Sequence, residues 1–291
     1  MITIGATVFP VVDAHVHAFA PDLIRDRDDW LNRDFWFRQL YASPRSKLTT
    51  VEDLLVSMEA SRVDHSVVCG FPWRDIDHCR AQNAYLAAAC APHPKRLSWL
   101  GICPMNQDGV AVAAEAFAAG AVGLGEFNAD AQGFSFSNLN AFAPLAKLCV
   151  EHDRPILIHC SEPLGHDYPG KGTATPDRIA SFAESFPELR MVGAHWGGGL
   201  PFYELMPEIR KTLQNVSYDS GATTYLYDPS VFRHVLNLVG PRKVLFGSDY
   251  PVLGQKRLVA SLANLAWADD TEIAAILAGN AIRTYRLEFI S

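Results

Sequence analysis

No stretch of this 291-residue sequence approaches the uncharged apolar length that a membrane-spanning helix needs, since the Ala-rich run at 110–125 is broken by Glu115 and ends among glycines. No membrane partner is expected. The opening residues, Met1-Ile2-Thr3-Ile4-Gly5, lack the basic segment that begins a secretory signal, so a cytoplasmic location is expected. Lysine and arginine form no block and the formal charge is −7, which argues against a groove for a nucleic-acid backbone. The six cysteines (Cys69, Cys79, Cys90, Cys103, Cys149, Cys160) show no Cys-x-x-Cys spacing. A chain of this size needs no cross-links, and they read as reduced thiols buried near strands and helices. No Gly-x-Gly-x-x-Gly follows the first apolar run, which weakens the case for a dinucleotide-binding sheet. What is present is an ordinary globular composition: 49% hydrophobic residues are enough to bury a large core.

Along the chain, short apolar runs alternate with helix-like patterns. The runs are 10–17, 66–71, 97–102, 121–126, 155–159, 189–195, 216–219 and 243–247. Between them lie helical periods starting at Thr50 and covering 77–91, 108–119, 138–153, 176–186, 203–213 and 229–239, with more helical sequence to the C-terminus. Runs apolar on both faces, each followed by a helix, predict a parallel sheet covered by helices. Eight such units in this length predict an α/β fold, a (β/α)8 TIM barrel forming one domain over residues 1–291. An open doubly wound sheet is the alternative. The aromatic-rich stretch 18–48, with Trp30, Phe35, Trp36, Phe37 and Tyr41, reads as an insertion after the first strand, either a lid over the site or helix packed outside the barrel.

In a parallel barrel, chemistry collects at the C-terminal ends of the strands. The residues there are His15 and His17 on the first run, Glu126 on the fourth, His159 on the fifth, His195 on the sixth and Asp249 just past the eighth. All six side chains can bind a metal. Within Val11-Val12-Asp13-Ala14-His15-Val16-His17, strand alternation puts both histidines on one side, where two imidazoles can supply half of a metal shell. Asp13 is expected to support a ligand histidine from behind. His65, His78, His93, His152 and His234 fall away from the strand ends and are expected at the surface or at caps.

With these positions in view, the chain resembles the amidohydrolase superfamily, in the amidohydrolase-related branch that includes aminocarboxymuconate-semialdehyde decarboxylase and related hydrolases. The stretches that carry the resemblance are Val12-Asp13-Ala14-His15-Val16-His17, Ile156-Leu157-Ile158-His159-Cys160, Gly193-Ala194-His195-Trp196-Gly197-Gly198, Leu245-Phe246-Gly247-Ser248-Asp249-Tyr250-Pro251 and Ile276-Leu277-Ala278-Gly279-Asn280-Ala281-Ile282-Arg283. The resemblance implies that His15, His17, His159 and Asp249 bind a divalent metal, most often zinc, with one or two ions per chain. It implies that Asp249 also moves protons, and that His195 either binds a second metal or hydrogen-bonds the reacting carbonyl. Gly125-Glu126-Phe127 resembles the segment by which TatD-type metal-dependent nucleases hold two metals; a Glu126 ligand would make the site binuclear.

The expected function is hydrolysis of a small-molecule amide, lactone or ester by a metal-activated water. Its alternative is a metal-dependent, non-oxidative decarboxylation of an aromatic or unsaturated acid. The expected partner is a small-molecule substrate, and the branch carries the further expectation of a homodimer. Loops 18–48, 71–76, 127–137 and 162–175 are expected to set specificity, with Trp73, Arg74, His166, Tyr168, Lys171 and Tyr250 as candidate contacts.

Overall fold

The computed structural model describes residues 1–261, 265 and 267–288. The parts of the expected C-terminal helical stretch at 262–264, 266 and 289–291 lie outside the described residues. An antiparallel hairpin, β1 (Ile2–Ile4) and β2 (Thr7–Phe9), precedes the barrel. The sequence reading missed it, because each strand has only three residues.

Eight parallel strands follow: β3 (Val12–His17), β4 (His65–Cys69), β5 (Leu97–Gly101), β6 (Gly123–Phe127), β7 (Ile156–Ile158), β8 (Met191–Gly193), β9 (Val216–Asp219) and β10 (Val244–Leu245). Each pairs with its neighbour in chain order. The ring closes between last and first: Ala14 donates to the Phe246 carbonyl (2.8 Å), His17 to that of Tyr250 (2.6 Å), and Asp249 to that of His15 (2.9 Å). This is the expected (β/α)8 barrel. Val12, Ala14, Val67, Cys69, Leu100, Leu157, Val192 and Leu245 fill its lumen, and a larger apolar layer lies between strands and helices. Among the described residues, no helix is long and apolar enough to cross a membrane.

Local chemistry fixes the elements. Thr50 and Asp53 form a reciprocal capping box that starts the helix Val51–Ser61, burying Leu54 and Met58, and Arg62 ends it in the left-handed region (φ 59°). The insertion after β3 folds as three short helices, Pro21–Arg25, Arg27–Arg33 and Phe35–Tyr41. Phe37 is fully buried against Phe71 (5.3 Å between ring centroids), and Trp30 packs on Trp73 (4.9 Å). The insertion is thus pinned to the loop after β4. Its end, around Leu40 to Lys47, reaches over the mouth of the barrel.

One buried ion pair ties the segment after β8 to the start of β10. Lys243 Nζ reaches both carboxylate oxygens of Glu204 (2.9 and 2.8 Å) and the Leu213 carbonyl (2.8 Å), while Tyr218 donates its hydroxyl to Glu204 (2.7 Å). Glu204 is 1% exposed, so removing its cation strands a carboxylate in the interior. Lys243→Met is expected to lower unfolding free energy by about 3–5 kcal/mol in urea titrations with unchanged slope. A loss well below 1 kcal/mol would mean that solvent reaches this carboxylate.

Candidate metal centre at the barrel mouth

Strict alternation from Val12 would send Asp13, His15 and His17 to the same side. Instead, the β3–β4 register shifts between Asp13 and Val16, a bulge that leaves Val12 and Ala14 in the lumen and brings His15 and His17 to the same mouth. Asp13 is thereby turned away from the imidazoles. It accepts from Ser248 N (2.8 Å) and Gln255 Nε2 (2.9 Å), so it braces the closing strand rather than a ligand ring. Burial pushes its carboxyl up to about 6, against the opposing effect of these hydrogen bonds.

The support expected from Asp13 comes from Asp219, at the end of β9. Its Oδ2 accepts from His15 Nδ1 (2.9 Å), and its Oδ1 accepts from the backbone of His195 (2.9 Å) and Gly221 (2.8 Å). His17 Nδ1 donates to the Gly70 carbonyl (3.0 Å), and His159 Nε2 to that of Gly170 (3.0 Å). Each of these three outer nitrogens carries the proton, so the inner nitrogen of the neutral ring presents a lone pair.

Those inner atoms crowd together. His15 Nε2 and His17 Nε2 are 3.1 Å apart. Glu126 Oε2 lies 3.6 and 3.5 Å from them, and Asp249 Oδ1 lies 3.8 and 3.3 Å away. The other oxygen, Glu126 Oε1, is 3.1 Å from His159 Nδ1 and 3.2 Å from His195 Nε2. Lone pairs and carboxylates this close need positive charge among them, and the imidazole and carboxylate donor set fits a divalent metal. The six residues expected from the sequence are therefore gathered in one cluster, with Glu126 between a His15/His17 pair and a His159/His195 pair.

His195 differs from the other three. Its strand ends at Gly193, and His195 opens a left-handed turn in which five consecutive residues have positive φ: His195 56°, Trp196 57°, Gly197 58°, Gly198 61° and Gly199 96°. Each non-glycine residue there costs about 1–2 kcal/mol. Asp219 offsets this by holding the His195 backbone N–H, and Trp196 Nε1 donates to Thr223 Oγ1 (2.9 Å). The glycines are sterically required: a Cβ on Gly198 would lie 2.5 Å from the Ser161 carbonyl oxygen, and one on Gly197 2.9 Å from the Tyr218 ring. The expectation of a strand running on to His195 is corrected accordingly. His195 Nδ1 is buried without a hydrogen-bond partner, so no outer acceptor fixes this ring as a ligand and Nε2 is free to carry a proton.

Without a metal, protons balance the charge. Burial disfavours the imidazolium of His15, yet the Asp219 and Glu126 carboxylates raise it well above its ordinary value. His17 is likewise raised, and His195 is held at about 9, its burial outweighed by the hydrogen bond to Glu126 and by Asp249. Burial would raise Glu126, but His15 and its other imidazole neighbours hold it well below the usual carboxylate range.

A cavity of about 600 Å³ opens over the cluster, reaching His17, Glu126, His159, His195 and Asp249. Its walls are Leu40, Tyr41, Phe71, Pro72, Pro169 and Tyr225, and Arg45 and Lys47 line it as cations. Of the loop candidates, Tyr168 lines it, whereas Trp73 is buried on Gln82 (2.8 Å). Lys171 Nζ caps the carbonyls of Leu164 (3.1 Å), Gly165 (3.4 Å) and His166 (3.2 Å) within its own loop. Arg74, His166 and Tyr250 are not among the lining residues. Segment 127–137 contributes only Asn128, while 222–226 and 251–254, overlooked in the sequence, also form walls. His65, expected at the surface, is buried at the start of β4 and bonded to Ser98 Oγ (3.0 Å). Asp219 was legible by the criterion that selected Glu126, an acid ending an apolar run. Cys69 carried no such signal, whereas Tyr41 lies in the stretch 18–48 that was expected to set specificity, and it lines the cavity. Cys69 lies with His15 and His17 in a group whose candidate donor atoms fall within 4.8 Å of one another.

A family profile described as Amidohydrolase matches residues 12–287. Among solved structures, 5-carboxyvanillate decarboxylase from Sphingomonas paucimobilis aligns with a TM-score of 0.79 at 17% identity, covering 96% of this chain and 100% of that one. A 5-carboxyvanillate decarboxylase from Novosphingobium aromaticivorans, complexed with manganese and 4-hydroxy-3-methoxy-5-nitrobenzoic acid, aligns at 0.75 and 18% identity over 96% of each chain. The 2,6-dihydroxybenzoate decarboxylase from Rhizobium aligns at 0.69 and 18% identity, over 97% of this chain and 100% of that one. At these identities the likeness is one of fold.

Two outcomes test the centre. Asp219→Asn should weaken zinc affinity about 10–100-fold in chelator competition, because it removes the carboxylate behind His15; an unchanged affinity would mean His15 needs no such support. The raised imidazoles hold protons at pH 7 that a metal must displace. Calorimetric zinc binding should therefore release protons, read as a heat that depends on the buffer's ionisation enthalpy. The release should shrink at alkaline pH, as metal-free His15 and His17 lose the protons that their surroundings hold on them at pH 7. A heat independent of buffer at pH 7 would contradict this.

Proposed function

The chain belongs to the amidohydrolase family, and from that premise we propose that it is a metal-dependent carboxy-lyase, releasing CO2 from an aromatic or unsaturated carboxylic acid without oxidation. This reverses the order expected from the sequence, where hydrolysis stood first. The observation that carries it is the cavity: metal-capable donors lie at its inner end, rings and prolines wall it, and Arg45 and Lys47 line it. Such a space suits a planar acid with its carboxyl group inward and its ring between Phe71, Tyr41 and Tyr225. Decarboxylases sharing the fold over nearly their whole length support the same reading.

In this proposal His15, His17, His159 and Asp249 hold a divalent metal. When bound, it supplies Lewis acidity that orients an anionic substrate oxygen and offsets charge there. His195, whose Nε2 is free to be the protonated nitrogen, donates that N–H to the substrate. Asp249, at the inner end of the cavity, carries a proton taken up from solvent before the step. The bond between carboxyl carbon and substrate carbon breaks, CO2 leaves, and the electron pair left on the substrate carbon takes the proton from Asp249. The apolar walls exclude water from that carbon.

One observation favours the hydrolytic reading: Glu126 presents one oxygen to each histidine pair, an arrangement suited to bridging two cations. Metal content of wild type and Glu126→Gln, together with CO2 release from a panel of hydroxybenzoates including 2,6-dihydroxybenzoate and 5-carboxyvanillate, decides between them. The lyase reading expects CO2 from a panel member and about one metal ion per chain in both proteins. About two ions falling to about one in the variant, with lactone or amide hydrolysis and no CO2, would overturn it.

A further inference from the structure

We propose that Asn128 selects the substrate, its side-chain amide donating to an acceptor oxygen that the substrate ring carries away from its inward carboxyl group. This rests on the reading of the cavity as a site for a planar acid. Asn128 follows the last residue of β6, two positions past Glu126. Both line the cavity, whereas Phe127 between them turns outward onto Phe142 (5.7 Å between ring centroids). Two residues of extended chain advance about 6–7 Å. Asn128 therefore stands further out along the wall than Glu126, by roughly the breadth of a benzoate ring.

The direction of the amide is fixed. Asn128 Oδ1 accepts from Ala131 N (3.0 Å), so the oxygen is the capping atom and Nδ2 is the atom left over. Nδ2 donates to no protein group among the described residues, although Asn128 is only 4% exposed. It is not sealed in the interior, so its protons open on the cavity. The turn that carries it is stitched to three neighbouring loops. Asn128 N donates to Gln132 Oε1 (3.2 Å), and Gln132 Nε2 donates to the carbonyls of Trp73 (3.1 Å) and Cys103 (2.8 Å), beyond β4 and β5. Asp130 accepts from Thr173 N (2.6 Å) and Oγ1 (2.9 Å), beyond β7. The donor is thus in place before a ligand arrives, and little ordering is lost when one binds. Arg45 and Lys47 also line the cavity, but both are exposed, and neither side chain has a fixing partner among the described residues. They attract an anion without reading the position of its oxygens. A ligand that lacks the acceptor leaves the Asn128 N–H covered and unpaired, which is the source of the discrimination.

The probes are benzoate, meta- and para-acetylbenzoate, whose ketone only accepts, and meta- and para-aminobenzoate, whose amine chiefly donates. Their affinities for the metal-loaded full chain are read by calorimetry. An acetylbenzoate should bind about 10-fold more tightly than the aminobenzoate of the same position. Asn128→Asp keeps an oxygen for Ala131 N and puts an acceptor where Nδ2 stood, so it should reverse that order. Asn128→Ala should abolish the preference. A purely structural role for Asn128 would leave the order in Asn128→Asp as in wild type, and that result would overturn the inference. Benzoate binding with no acceptor preference in wild type would also overturn it, while leaving the planar-acid reading intact. Binding of none of the probes would remove the planar-acid reading and this inference with it. Because the wild-type preference alone can reject the idea, a variant that fails to fold does not shield it.

Discussion

Four imidazoles and three carboxylates share the mouth of this barrel, and their mutual charge balance governs the surroundings. Imidazole lone pairs 3.1 Å apart, with Glu126 and Asp249 beside them, are stable only with cations or protons between. Everything behind them serves that arrangement: Asp219, Gly70 and Gly170 each take one ring proton and so choose which nitrogen faces inward. The desolvation that would otherwise neutralise these groups is offset by the opposite charges of the same cluster.

The backbone is shaped to the same end. The left-handed turn after Gly193 carries His195 to Glu126, and two glycines, Gly197 and Gly198, let the turn pass against Tyr218 and Ser161. Asp219 ties that turn to β9, and the Glu204–Lys243 pair ties its continuation to β10. A single carboxylate, Asp219, thus serves both a putting-in-place of backbone and the choice of a histidine tautomer. Strain in the turn and order in the inward-facing rings share one anchor.

Hydrolysis and decarboxylation place nearly the same demands on such a centre, since both need an oriented anionic oxygen and a mobile proton. What separates them is the walls. Phe71, Tyr41 and Tyr225 come from the loop after β4, from the insertion and from the segment after β9. The aromatic stretch 18–48 therefore joins the two roles weighed for it: Phe37 and Trp30 anchor it outside the strands, and Leu40 and Tyr41 form part of the cavity.

The sequence by itself determined the barrel, because burial on both faces of eight short runs leaves a periodicity that can be counted. It also determined the six metal-capable residues, because a parallel barrel sends all strand ends to one mouth. Short or irregular pieces escaped: the hairpin of three-residue strands, the end of β8 before His195, and the true wall segments. Only the tertiary structure decided that Asp219 rather than Asp13 stands behind His15, since a bulge reversed the alternation that sequence spacing assumes. It alone brought Cys69 against His17 and put Glu126 between two histidine pairs. Those contacts join residues 33 to 204 positions apart, and nothing local in the chain encodes which distant side chains will meet.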